Sequence, residues 1–264
     1  MNIKKCRIKK GVALVDKPKG LTSFDVVERV CEKLGVPKGG HAGTLDPNVT
    51  GLMLIALEES RKAMPVLMGL DKEYTGKLWL HKDVGIEETR AAFKKFTGVI
   101  KQIPPVRSRV ARVERERKVY EFELLEKNGR EVEFRVLCEA GTYIRKLVHD
   151  VGEYLGVGAH MSELRRTKIG PFHVKEAVEL SELSGKNVMR LEKVLERIGL
   201  KKVVVEDHAI PRIKNGSPVF PEWVVKKNCK GNEECIGIYS TKGEIIALGK
   251  PMGKKVKTDR VFNV

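Results

Sequence analysis

The sequence predicts an α+β fold, with a mixed, mainly antiparallel central sheet flanked by helices and a small C-terminal β-barrel-like domain behind it. Three observations carry that expectation. Residues 119–126 and 131–139 make a hairpin signal around Asn128-Gly129, and Val132, Phe134, Val136 and Cys138 alternate onto one face, as a sheet with one covered side requires. Helical spacing instead governs Phe24, Val27, Val30, Cys31 and Leu34, and again Ile144, Leu147, Val148, Val151 and Leu155, so amphipathic helices separate the strands. From Lys201 onward the runs VVVED, VFPEWVV, CIGIYS and IIALGK are short, β-type and separated by Gly, Pro and Asn, which marks a separate unit. The expected boundary divides residues 1–198 from residues 199–264.

The elements follow in order. GVALVDKPKG reads as a short buried strand running into a turn at Lys17-Pro18-Lys19-Gly20. Thr22, with Asp25 three residues on, caps the first helix, and Gly35 stops it. The glycine-rich loop HAGTLDPNVTG, His41 to Gly51, leads into LMLIAL, an apolar run of strand length. A helix is predicted from about Ser60 to Leu70, broken or kinked at Pro65. A strand covers Glu73 to Val84, and a charged helix Glu87 to Phe96. KQIPPVRSRVARVERERK then sets Lys101, Arg107, Arg109, Arg112, Arg115, Arg117 and Lys118 against only Glu114 and Glu116. With two adjacent prolines it reads as an exposed basic arm, a capture surface for a polyanion or a solvated loop. The Asn128-Gly129 pair favours a type I′ turn. The helix that begins after Gly141 carries Arg145 in its first turn and ends at Gly156. A polar helical stretch is predicted over roughly Glu176 to Arg197, ahead of the C-terminal unit.

A chain of 264 residues that is 41% hydrophobic can bury a real core. Lys and Arg number 51 against 35 Asp and Glu, a formal net charge of +16, which points to nucleic acid or an anionic membrane face as partner. Residues 199–264 hold 13 Lys and Arg against 7 Asp and Glu, so both parts are basic and one RNA can engage both. No apolar run approaches the ~18 residues needed to span a bilayer, and Val12 to Val15 is too short for the apolar region of a signal peptide. The protein reads as cytoplasmic. Five cysteines, Cys6, Cys31, Cys138, Cys229 and Cys235, are odd in number and scattered, so neither a disulfide framework nor a zinc site is expected.

Asp46 carries the chemical question. Gly39, Gly40, Gly43 and Gly51 let the surrounding backbone turn sharply or approach a ligand, and Pro47 biases Asp46 toward extended geometry. One carboxylate with no neighbouring carboxylate, no Ser-His pair and no ligand cluster argues against glycosidase, triad and metal chemistry. The residues alone leave open a nucleophile, a lone base and an ordinary surface Asp-Pro turn. Arg145, if it lies beside Asp46, would hold the carboxylate bidentately and keep it ionised; otherwise it is an exposed helix arginine. Tyr74 in DKEYTG and Tyr143 in GTYIR sit at junctions where a ring can stack on an extruded base or pack into the core. His41 and His160 are each a phosphate- or base-contacting candidate or a structural histidine.

DKPKGLTS, GGHAGTLDPNVTG, DKEYTG, EAGTYIRKLVHD and GVGAHMSELRRTKIGPF stand in the order of the pseudouridine synthase family that includes the bacterial tRNA T-loop enzyme. The chain resembles that family over nearly its whole length. IPPVRSRV, RKVYEFELLE and GVGAHMSELRRT are more similar to the archaeal, dyskerin-type branch, the catalytic subunits of box H/ACA ribonucleoproteins, and the C-terminal segment resembles a PUA domain, a small RNA-binding β fold. The resemblance implies a pseudouridine synthase fold over residues 1–198 and a PUA domain over residues 199–264. It implies that Asp46 is the essential aspartate, acting on a flipped uridine so that the N1–C1′ bond breaks and a C5–C1′ bond replaces it. Arg145 then matches its arginine partner, and Tyr74 the tyrosine stacked on the target base and proposed to shift a ribose proton. Lys17 matches the lysine of the first motif, His41 the histidine beside the flipped nucleotide, and Tyr143 and Leu164 pocket-lining positions. Arg107, Arg109 and Arg112 of the arm complete the expected substrate-binding set. Attack at C1′, addition to the base and elimination through a glycal stay open.

No metal and no small-molecule cofactor is implied, and no membrane. The implied partners are a box H/ACA guide RNA, a substrate rRNA or tRNA and small H/ACA accessory proteins. A stand-alone tRNA T-loop synthase is the alternative, and a non-catalytic RNA scaffold the alternative of another class. The basic arm and the branch-specific motifs favour the guided enzyme, and the joint presence of Asp46, Tyr74 and Arg145 counts against a scaffold. The first motif begins by Gly11, where archaeal members usually carry a longer N-terminal extension that wraps the PUA domain, so weaker docking of that domain or weaker partner contacts are expected.

Overall fold

Unbroken apolar sequence lies where the sheet is covered on both faces. The computed structural model describes residue 8 and residues 10–104 and 111–263, beginning with β1 (Lys10–Lys17), α1 (Ser23–Leu34), β2 (Gly39–His41) and β3 (Thr50–Glu58). β1 and β3 pair antiparallel from Lys10 opposite Glu58 to Lys17 opposite Gly51. Val12 to Val15 and Leu52 to Leu57 are all at most 4% exposed. Their alternate residues enter two different apolar clusters, Ala13, Val15, Met53 and Ile55 on one side and Val12, Leu14, Leu52 and Leu54 on the other. Strands buried on both faces lose the polar alternation that a one-sided strand keeps.

Thr22 and Asp25 cap α1 reciprocally, and Gly35 ends it with φ 63°. Phe24, expected on the apolar stripe, is 66% exposed, and Val26 takes its place beside Val27, Val30 and Leu34. The rotation is set by Ser23, whose hydroxyl turns inward to bond Leu45. Pro65 divides the predicted helix after Ser60, leaving a 3-10 turn over Glu59–Ala63 and a short α2 (Met64–Met68) with the proline in its first turn.

Next come β4 (Lys72–Leu80), α3 (Ile86–Lys95), β5 (Gly98–Gln102), β6 (Arg115–Asn128), β7 (Glu131–Cys138), α4 (Ile144–Tyr154), β8 (Ala159–Ile169) and β9 (Phe172–His173). β4 stops at Leu80 rather than Val84, because Gly85 and Glu88 already build the cap of α3. β7 alternates as its sequence demands, with Val132, Phe134 and Val136 fully buried beneath α3 and α4. Across the hairpin Asn128 pairs with Glu131, so Gly129-Arg130 makes the turn. Gly129 alone has positive φ, 56°, which excludes the expected type I′ turn, since that needs positive φ at both centres. The basic arm is also corrected at both ends. Lys101 belongs to β5 and Arg115, Arg117 and Lys118 to β6, in register with one another, and Ile100 and Gln102 are buried.

The stretch expected to be helical from Glu176 is instead mostly strand and turn, with β10 (Val178–Glu179) and β11 (Val188–Met189) ahead of a short α5 (Leu191–Arg197). β10 and β11 both add to β1, and this long-range pairing outweighs the helical tendency of a segment interrupted by Ser184 and Gly185. The resulting eleven-stranded sheet runs β10-β1-β3-β8-β4-β7-β6-β5, with β11, β2 and β9 attached to β1, β3 and β8. It is mainly antiparallel; β3 with β8 and β1 with β10 are parallel.

A separate five-stranded sheet, β13-β12-β14-β15-β16, is built from β12 (Lys202–Val205), β13 (Val224–Lys227), β14 (Ile236–Tyr239), β15 (Ile245–Met252) and β16 (Lys255–Val261). A one-turn helix, α6 (Ile210–Lys214), lies between β12 and β13. Tyr239, Ile245, Leu248 and Phe262 join Leu67, Leu191 and Leu195 in the cluster that covers the second face of β1 and β3. Lys62 Nζ donates to Val261 O at 2.7 Å, and Asn263 N–H to Glu59 Oε2 at 2.7 Å. The C-terminal sheet is thus attached through a buried apolar contact with a polar rim. Among the described residues no helix is long and apolar enough to cross a membrane.

Candidate active site

The loop between β2 and β3 carries Asp46 and is fastened on both sides of it. Ser23 Oγ accepts from Leu45 N–H at 2.8 Å and donates to Leu45 O at 3.0 Å. Pro47 O accepts from Gly20 N–H at 2.8 Å and from Lys17 Nζ at 3.1 Å. Val49 N–H closes the turn onto Asp46 O at 3.0 Å, and Leu45 and Val49 are buried in the main core. At the loop's exit Gly51 has φ 109°, and a Cβ there would lie 2.3 Å from Arg166 O. The chain therefore anchors apolar residues on either side of a carboxylate whose own side chain is 49% exposed.

Lys17, expected among the substrate-binding residues, has no free N–H for RNA. It is fully buried, and its Nζ donates to Pro18 O at 3.0 Å, Leu21 O at 2.6 Å and Pro47 O at 3.1 Å. An ammonium has three donors, and all are used. Burial lowers its pKa, opposed by the charges of Asp46 and Asp25. Its place is that of a staple between the turn after β1 and the Asp46 loop.

Helix α4 brings Arg145 to Asp46. Arg145 Nη2 donates to Asp46 Oδ2 at 2.5 Å, and the side chains are 59% and 49% exposed. The contact is one hydrogen bond between half-exposed groups, not the bidentate clamp the residue types suggest. Just before the helix, Gln102 holds Tyr143 by both backbone groups, accepting from its N–H at 3.0 Å and donating to its carbonyl at 3.1 Å. Gly141, φ 84°, leaves room for the Arg117 guanidinium, whose Nε would be 3.1 Å from a Cβ there. Gln102, Pro104, Arg115, Arg117, Gly141 and Tyr143 line a cleft of about 130 Å³.

Tyr74 lies in β4 between Val136 and Arg166 and is 8% exposed, so little of it meets solvent. Burial raises its pKa, and the Arg166 charge works against that rise. Leu164 faces Gly76, where the missing Cβ lets β8 come close; one would sit 2.5 Å from Glu163 O. His41 ends β2 with its Nδ1 buried and without a hydrogen-bond partner among the described residues, and burial together with the Arg166 charge lowers its pKa. His160 is not at this site: it pairs with Leu80's neighbour Trp79 at the other end of β8, its Nδ1 3.1 Å from His81 Nε2. Arg112 is exposed ahead of β6, while Arg107 and Arg109 lie outside the described residues.

Several residues around the loop escaped the sequence reading. Ser23 was hidden beside the obvious cap at Thr22, and its neighbour's capping pattern was the available signal. Arg165 forks onto Asp16, Nη1 to Oδ1 at 3.0 Å and Nη2 to Oδ2 at 2.5 Å, and reaches Thr50 Oγ1 at 3.3 Å. Arg166 is 1% exposed beneath the loop. The paired arginines of SELRRT stood in plain view, yet nothing local said that one was surface-linked and the other buried.

A stiffly mounted aspartate with an arginine partner stands on a mixed sheet, in a chain whose strong positive charge suits a polyanion such as RNA. Residues 31–89 and 81–144 match the N-terminal domain of TruB family pseudouridylate synthases, and residues 145–205 match the tRNA pseudouridylate synthase B C-terminal domain. The probable tRNA pseudouridine synthase B of Methanocaldococcus jannaschii is 44% identical over 270 residues, covering 97% of this chain and 80% of its own. That of Methanopyrus kandleri is 44% identical over 259 residues, covering 92% and 76%. Among solved structures, a chain of a Cbf5-Nop10-Gar1 complex superposes with a TM-score of 0.88 at 37% identity, covering 99% of this chain and 88% of that one. A chain of an H/ACA RNP bound to a substrate RNA containing 2′-deoxyuridine gives 0.85 at 36%, covering 100% and 88%. The chain belongs to the TruB family of pseudouridylate synthases and is a pseudouridine synthase.

Proposed function

We propose that this chain is the catalytic subunit of a box H/ACA ribonucleoprotein, isomerising uridines of rRNA or tRNA chosen by a guide RNA and assisted by small accessory proteins. The observation that carries the reading is likeness over the full chain, C-terminal sheet included, to a chain of a Cbf5-Nop10-Gar1 complex at a TM-score of 0.88 and to a chain of a substrate-bound H/ACA RNP at 0.85. A stand-alone tRNA synthase is the second reading, favoured by the names of the methanogen relatives. Residues 1–198 are read as the catalytic domain and residues 199–264 as a PUA-type RNA-binding domain, in a cytoplasmic protein.

In this reading Asp46 is the reacting carboxylate. The N1–C1′ bond of an extruded uridine breaks, the base turns, C5 bonds to C1′, and the C5 proton is lost while N1 gains one, so the sum is an isomerisation that consumes no co-substrate and calls for no metal or organic cofactor. Arg145 orients Asp46 by its single hydrogen bond at 2.5 Å. Tyr74, Tyr143 and Leu164 form the wall against which the base is held, and His41 lies at the entry of the loop. Arg112, with Arg107 and Arg109, belongs to the surface that captures the strand. The half-exposed Asp46–Arg145 pair is dried when RNA covers it, and its charges act more strongly there than in the free chain.

The test is reconstitution. The purified chain is assayed for pseudouridine on an RNA with a guide-matched uridine, alone and then with an H/ACA guide RNA and homologues of Nop10 and Gar1, and in parallel on a tRNA T-loop. Activity that requires the guide supports the proposal. Full activity on the T-loop by the chain alone, with none gained from the guide, replaces it with the second reading.

A further inference from the structure

Beneath the Asp46 loop lies a guanidinium to which the reaction just described assigns no part. Arg166 is among the largest fully buried side chains. Its Nε donates to Leu52 O at 2.7 Å and its Nη2 to Gly43 O at 3.2 Å. Gly43 and Leu52 flank the segment that carries Asp46, so one planar fork, its donors fixed in direction, holds both ends of the loop. The backbone of the same residue pairs with Gly51, where only a glycine fits.

This placement depends on an irregularity in the sheet. Glu73 faces Lys168 but Tyr74 faces Arg166 across β4 and β8, which leaves Thr167 as an extra residue, a β-bulge. Regular pairing would set Thr167 opposite Tyr74 and send Arg166 to the charged face of the sheet. On that face Glu73 is already engaged, with Arg135 at 2.9 Å and Lys168 at 3.1 Å. The bulge instead brings Arg166 to the core side beside Tyr74, where two neighbours register its charge. Lys72, 5% exposed, has its pKa pushed down to about 8 by burial and then by Arg166, and His41 is lowered by the same two causes. A guanidinium kept this deep without a carboxylate in hydrogen-bond contact among the described residues is costly to the fold, and what it secures is the loop.

We propose that Arg166 is a further positioning residue of this active site, its fork fixing the entry and exit of the Asp46 loop and, through the bulge, the place of Asp46 relative to Tyr74. The proposal rests on Asp46 as the reacting carboxylate. Wild type, R166K, R166M and D46N are compared as full chains, in whatever assembly activity requires, by single-turnover release of a C5 label from the target uridine. Substrate RNA affinity is measured separately, and hydrogen exchange is followed at Thr44–Val49 and at Ile236–Tyr239. R166K and R166M are expected to slow the chemical step about 100-fold, the scale on which small misplacement acts, with RNA affinity unchanged within about threefold and faster exchange confined to the loop. R166K keeps the charge, so an R166K rate near wild type overturns the proposal. Equal loss of protection in the loop and in β14 also overturns it, by showing a general core role. If R166M does not fold, R166K and its exchange pattern decide. An active D46N defeats the reading of Asp46 instead, whereas an inactive D46N beside a fully active R166K defeats the role of Arg166 alone.

Discussion

Arg145 meets Asp46 through one hydrogen bond, Nη2 to Oδ2 at 2.5 Å, with both side chains about half exposed. Exposed ion pairs contribute at most about 1 kcal/mol to folding, so the pair matters for where the carboxylate points more than for stability. Arg145→Ala is therefore expected to leave the melting temperature within about 3 °C of wild type while the single-turnover rate falls about 100-fold. Differential scanning calorimetry beside the label-release assay checks both. A variant that keeps its rate would show that the hydrogen bond does not orient the reacting group.

Asp46→Asn preserves shape and removes the charge. Because the backbone of the loop is held by Ser23, Lys17 and Gly20 rather than by the Asp46 side chain, fold and RNA affinity should be retained while isomerisation falls by at least about 1000-fold, the scale of losing a reacting group. RNA titrations and label release on the same preparation test this. Substantial residual turnover would remove Asp46 from the chemistry.

Ser23 is 3% exposed and satisfies both backbone groups of Leu45. Ser23→Ala strands a buried N–H and a buried carbonyl, and the expected loss is about 1–3 kcal/mol. Urea unfolding should register it. The neighbouring cap variant Thr22→Ala, away from the loop, serves as the comparison, and only Ser23→Ala should also slow catalysis.

Lys72 gives the stability a pH dependence of known sign. Its pKa is about 8 in the folded chain against 10.5 unperturbed, with burial the main cause and the Arg166 charge the next. Between those values the unfolded chain binds more protons, so this residue makes stability rise with pH, and below pH 8 it costs the fold roughly 3 kcal/mol. Lys72→Met should exceed wild type in unfolding free energy at pH 7, and the difference should shrink toward pH 10.5. A constant difference across that range would contradict the assignment.

Removing residues 199–264 uncovers Leu67, Leu191, Leu195 and the outer residues of β1 and β3, which pack on Tyr239, Ile245, Leu248 and Phe262. Exposed apolar patches of this kind promote association. The truncated chain is expected to unfold at lower urea concentration and to aggregate, as light scattering would report. A monomeric truncation of wild-type stability would mean that the contact contributes little.

What could be read from residues alone was local. The cap at Thr22 and Asp25, the alternation of β7, the apolar strand-length runs VALV and LMLIAL and the stiffness of a carboxylate set among Gly43, Pro47 and Gly51 depend on neighbours a few positions away, so the chain carries their signals within single elements. The order of the motifs named the family, and the roles proposed for Asp46, Arg145 and Tyr74 come from that resemblance. Folding across long separations decided the rest. It put Arg145 against a residue 99 positions away, spent every donor of Lys17 on backbone carbonyls, turned the segment after Glu176 into two strands on β1 and, by one extra residue in β8, buried Arg166 while its neighbour Arg165 reached Asp16. A side chain's chemistry follows from what covers it and which groups share its volume, and in a sheet whose neighbouring strands are far apart in sequence those partners exist only once the register is set.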